Sequence, residues 1–105
     1  RDAITAFSVS YSDYLAKNNP RDLVYYQLGM WTVNIALAAS SKSDLVRGEI
    51  VDLDYFVRSL MAQSAALGVI NSLKDMRVII DQPSDESIDY AKLYLENSKL
   101  RQLFL

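Results

Sequence analysis

The sequence predicts an all-α protein: an antiparallel bundle of four helices, rising to five if the third helix breaks near Gly68. Three observations carry the prediction. Apolar residues recur at helical spacing through most of the 105 residues. Short polar breaks near Asn19, Ser43 and Pro83 separate the periodic segments, and short connections favour antiparallel neighbours. One segment, with Val46, Ile50, Leu53, Val57, Leu60, Ser64 and Leu67, carries the alternating 4-3 spacing of packed helices.

Asp2 to Lys17 reads as an amphipathic helix, with Ile4, Phe7, Tyr11, Tyr14 and Leu15 on one face. The stretch Asn18-Asn19-Pro20 ends it, because proline cannot continue the preceding helix. Asn19 suits the N-cap of the next helix, Pro20 its first position, and Asp22 its positive dipole end.

That second helix spans about Arg21 to Ser41 and has no charge between Leu23 and Ser41. A helix of this length is about 30 Å long, the thickness of a bilayer core. Content argues against a span. Gln27 and Asn34 lie on one face near the middle, and two unpartnered amides are costly in lipid. A buried helix with both amides hydrogen-bonded in the bundle is the expectation. One broad face is large and apolar, with Leu23, Val24, Tyr26, Leu28, Met30, Trp31, Val33, Ile35 and Leu37 around Gln27 and Asn34. The narrow face is small: Gly29, Thr32, Ala36, Ala39 and Ser40. Such a face serves close packing within one chain or an interface between chains.

A third helix is expected from Ser43 or Asp44 to about Leu73. It is half polar through Ser59 and free of charge from Leu60 to Leu73, where Ala62, Ala65, Ala66, Val69 and Ile70 widen the apolar surface. Another segment or another chain must cover that half. Lys74 to Asp81 fits a strand, a short helix or a connector, because Val78-Ile79-Ile80 is a β-branched run. Ser84 suits the N-cap of a last helix, with Asp85, Glu86 and Asp89 in its first turn, a stripe of Tyr90, Leu93, Tyr94, Leu100 and Phe104, and an end near Leu103.

Composition bounds the chemistry. Half of the residues are hydrophobic and 23% are charged, so one folded helical domain spanning residues 1–105 is expected. Burial of roughly 65% of the unfolded surface should suffice for a core. The net charge of -2, with no run of one sign, does not favour a nucleic-acid binder. A local patch of Arg47, Arg58, Lys74, Arg77, Lys99 and Arg101 keeps that class as a lesser alternative. There is no Cys and no His, which removes disulfides, thiolate nucleophiles and the commonest base and metal ligand. The missing Cys does not fix a compartment. A first residue of Arg1 rather than Met implies processing or trimming, with any targeting signal lost.

Carboxylates are the only numerous catalytic candidates. Glu49 and Asp52 are neighbours at i, i+3, and Asp54 points elsewhere; together with Arg47 and Arg58 they read as a solvated face. Asp81, Asp85, Glu86 and Asp89 lack calcium-loop spacing and read as helix-dipole partners. The three glycines are isolated and make no phosphate loop. No enzyme, cofactor or metal site is expected.

The function expected is therefore a non-catalytic helical module that binds a protein partner or a second copy of itself, the latter favoured. Its candidate contacts are Gly29, Trp31, Ala36, Ala65, Leu103 and Phe104, with Gln27 and Asn34 as buried polar residues. The seven tyrosines suit an interface, as do the apolar residues of the C-terminal stretch Leu100 to Leu105. The alternative is a bundle that binds a small apolar ligand near Trp31, Asn34 and Gln27.

Overall fold

The computed structural model describes residues 20–63, 67–83 and 85–104. They form α1 (Pro20–Ser40), a 3-10 helix (Asp44–Glu49), α2 (Ile50–Ala62), α3 (Leu67–Ile80) and α4 (Tyr90–Phe104). No strand occurs among the described residues. The all-α bundle is as expected. The helix expected over Asp2 to Lys17 and the caps at Asn19 and Ser84 lie outside the described residues.

α1 matches its predicted bounds to within a residue. Its C-terminus closes in a Schellman motif. The Lys42 N–H donates to Ala39 O (3.2 Å) and the Ser43 N–H to Ala38 O (2.9 Å). Lys42 takes the left-handed conformation, φ 53°, that this motif requires and that glycine adopts most readily. Ser43 then caps the 3-10 helix, its hydroxyl accepting from the Leu45 N–H at 3.3 Å.

The predicted third helix is divided. Its apolar seam holds as far as Leu60: Val46, Leu53 and Leu60 are buried, and Ile50 and Val57 pack against them. Beyond Gln63 the periodicity does not continue, and Leu67 is exposed. The chain turns back, and α3 runs antiparallel to α2, with Arg77 Nε 2.9 Å from Asp54 Oδ1. The turn explains the charge-free stretch. Val69, Ile70 and Leu73 lie on the inner face of a new helix that also buries Met76, Ile79 and Ile80. The covering segment belongs to the same chain. Lys74 to Ile80, ambiguous in sequence, is helical because this buried stripe fits α3.

The last helix starts at Tyr90, later than expected, with Asp89 as its cap; the Lys92 N–H donates to Asp89 Oδ1 at 3.1 Å. Before it, Ile88 is buried in a loop that turns at Asp85 and Glu86. Arg47 fixes this loop by donating to Gln82 O and Glu86 O, both at 2.6 Å. α4 runs antiparallel to both α1 and α3. Phe104 stands at Gly29 and Asn97 at Thr32 along α1, while Leu103 stands at Gly68 on α3.

The small face of α1 receives α4. Thr32 and Ala39 are buried there, and a Cβ on Gly29 would meet Phe104 Cε2 at 3.9 Å. Asn97, 1% exposed, donates to Thr32 O at 2.8 Å. It occupies the inward position of the stripe Leu93, Asn97, Leu100, Phe104, whose spacing is again 4-3-4.

Three substitutions test these contacts. Lys42→Gly should stabilise the chain by about 0.5–1 kcal/mol, because glycine carries no penalty at positive φ. Asn97→Ala should destabilise it by about 2–3 kcal/mol through the lost hydrogen bond and the cavity left behind, whereas Asn34→Ala, at an exposed position, should stay within about 0.5 kcal/mol. Urea denaturation of the three variants beside the native chain measures each difference.

Candidate functional site: the outer face of α1 and the Trp31 groove

α1 is apolar on two opposite faces. Val24, Leu28, Trp31, Ile35 and Ala39 enter the core. Met30, Val33 and Leu37 recur at three- and four-residue spacing on the far side, and are 43%, 45% and 65% exposed. A solvated helix normally carries polar residues there. At the C-terminal end of α1 the apolar surface continues onto α4, where Ala39, Tyr90, Ala91, Tyr94 and Leu95 line a shallow depression.

Beside this face lies a groove between α1 and the start of α2. Gln27, Met30, Trp31 and Asn34 line one side; Glu49, Asp52, Tyr55 and Phe56 line the other. The 3-10 helix sets its geometry, because its end brings Glu49 to the indole. The Trp31 Nε1–H donates to Glu49 Oε2 at 2.8 Å. Trp31 packs at 5.7 Å on Phe56, and Phe56 at 5.5 Å on Tyr55 in an edge-to-face arrangement. Burial raises the Glu49 pKa, the Trp31 hydrogen bond opposes that, and the neighbouring Asp52 raises it further.

The predicted site residues divide between these regions. Trp31 is buried, joining core and groove. Gly29 and Phe104 face each other within the chain, and the Phe104 ring lies tilted against Tyr25 with centroids 6.2 Å apart. Ala36 is half-buried and Leu103 is exposed beside Gly68. Ala65 lies outside the described residues. Gln27 is half-buried with its Oε1 sealed from solvent and lacking a donor. Asn34, expected in the core, is exposed instead: it lies on the groove side of α1, and the core side is filled by Leu28, Trp31 and Ile35.

The polar residues that are buried are Thr32, Ser72 and Asn97. Asn97 was legible from its place in the 4-3-4 stripe of α4. The pairing of Glu49 with Trp31, eighteen residues apart, was not, since it depends on how the 3-10 helix meets α1. No group of three acidic residues able to hold a metal ion occurs among the described residues. Among them, too, no helix is long and apolar enough to cross a membrane.

Compared with protein-family models, curated proteins and solved structures, the chain matches none.

The raised pKa of Glu49 fixes the sign of its pH effect. The folded chain holds this proton more tightly than the unfolded chain does. The resulting stabilisation is complete below the ordinary value of 4.5 and is lost as pH rises through the raised one. Stability of the native chain relative to Glu49→Gln should therefore fall as pH increases from about 4.5 towards neutrality. Paired urea titrations across that range measure it. Asp54, held below the ordinary carboxylate range by Arg77, titrates in both proteins and cancels in the difference.

Proposed function

We propose that the chain is a non-catalytic helical interaction module that associates with a second copy of itself through the outer face of α1. The observation that carries this reading is the row Met30, Val33 and Leu37, exposed on a helix whose opposite face already fills the core. The sequence from Leu23 to Ser41 contains no charge. Within the row itself no charge would meet its own copy about a two-fold axis, and Arg101 of α4 stands at the edge beside Met30 and Val33. Asn34, exposed beside the row, is suited to pair its amide with the same residue of the second copy and so fix the register. The small face of α1 is filled by α4, which leaves the outer face as the surface for association.

A regulator that touches nucleic acid draws less support. Arg47 donates to two loop carbonyls, Arg77 pairs with Asp54 and Asp81, and Lys99 pairs with Glu96.

Leu37→Glu and Val33→Glu test the reading. The native chain should run as a dimer by light scattering and sedimentation. Each variant should weaken association by about a hundredfold or more, because an unpaired charge would be buried at the contact. Both positions are exposed, so the monomers should keep the helical circular dichroism of the native chain. A native chain that stays monomeric at high concentration, or variants that associate as well as it does, would overturn the proposal.

A further inference from the structure

The groove beside Trp31 has an electrostatic composition that the self-association reading does not use. Its rim carries two carboxylates, Glu49 and Asp52, and no Lys or Arg among the described residues lines it. Like charges three residues apart on a helix repel. Neither carboxylate has an ion-pair partner among the described residues. Glu49 accepts from the neutral indole N–H of Trp31. Gln27 also lines this groove, and its Oε1 is buried behind the lining and accepts no hydrogen bond. An amide oxygen in that state is normally paired, and turning it towards the groove would break no hydrogen bond at that oxygen. The remaining wall is aromatic and flexible: Tyr55 is 42% exposed, and Met30 lines both this groove and the adjoining outer face.

We infer that the Trp31 groove binds the cationic end of a lysine or arginine side chain presented by a polypeptide. The head carries N–H donors, and the groove offers acceptors without matching donors: Glu49, Asp52 and, after rotation, Gln27. The aromatic ring of Tyr55 favours a cation over its face. The groove has a volume of about 330 Å³ and opens to solvent, so it suits a side chain reaching in from a surface rather than an enclosed metabolite. The aliphatic stem would lie along Met30, as such stems do on apolar surface. A small apolar ligand, the other occupant the sequence suggested here, would leave both carboxylates and the amide oxygen unpaired.

Trp31 is the sole tryptophan, so its indole N–H gives a single, assigned resonance that reports on Glu49 directly. The test titrates the 15N-labelled native chain with N-acetyl-arginine amide, with N-acetyl-lysine amide and with the neutral isostere N-acetyl-citrulline amide. At least one cationic probe should shift the indole resonance saturably, and citrulline should not. Asp52→Asn and Glu49→Gln should each weaken binding by about threefold or more, the size expected for loss of one partly exposed charge pair. Asp52→Asn leaves the Trp31–Glu49 hydrogen bond in place, which separates loss of charge from loss of structure. A shift with citrulline equal to that with the cations, no saturable shift with either cation, or unchanged affinity in Asp52→Asn would overturn the inference. The groove borders the outer face at Met30, so the titration is repeated on the Leu37→Glu chain, where the same saturable cation shift is expected whether or not the native chain self-associates.

Discussion

The arrangement of the chain depends on how closely α1 and α4 approach. Gly29, Thr32, Ala36 and Ala39 present almost no side-chain bulk on that side of α1. α4 can therefore lie near enough for Asn97 to reach a main-chain oxygen of α1, and for Phe104 to cover Gly29. A carbonyl inside a helix already has a partner, so the bond from Asn97 is an addition that only close approach allows. It places a polar group in an otherwise apolar seam. Sliding the two helices by one turn would bury Asn97 without this bond, at about 1–3 kcal/mol. Small residues thus permit the contact, and one amide fixes its register.

With α4 held on α1, the rest of the chain must fill the space beneath. α2 and α3 do so as a hairpin, and both bury apolar stripes that neither could bury alone. Arg47 ties the 3-10 helix to the loop before α4, and Arg77 ties α3 to α2. The Arg77 pair is partly exposed, where ion pairs contribute about 0–1 kcal/mol, so its effect is mainly to align the helices. The Arg47 bonds end on carbonyls that belong to no helix, and they keep this loop against the core while Ile88 inserts.

The same packing decides what remains at the surface. α1 has more apolar circumference than one core can cover: α2, the 3-10 helix and α4 take its inner faces, and Met30, Val33 and Leu37 stay outside. The 3-10 helix then sets a carboxylate against the edge of the core indole. An acidic, aromatic groove and an apolar helix face thereby share Met30 as a common border. The outer face lies apart from the core, whereas the groove shares Trp31 and Phe56 with it.

The helical class, the bounds of α1, the seam from Val46 to Leu60 and the cap at Ser43 were all written in local sequence. Periodicity, capping residues and proline act within a few positions, so they can be read without knowing the fold. The turn after Gln63 could not be read in this way. Leu67, Val69, Ile70 and Leu73 are apolar on either side of a break, and only the presence of α4 beside Gly68 rewards folding back over continuing straight. The start of α4 was shifted for a similar reason: Asp85, Glu86 and Asp89 all suit a first turn, but the anchoring of Ile88 and the Arg47 bonds select Asp89 as the cap. Gln27 and Asn34 share a helix face seven residues apart, yet one is half-buried and the other exposed, because the neighbouring segment covers the two ends of that face unequally. Which face of a doubly apolar helix turns inward is settled by shape against other helices, and that information lies in the tertiary contacts alone.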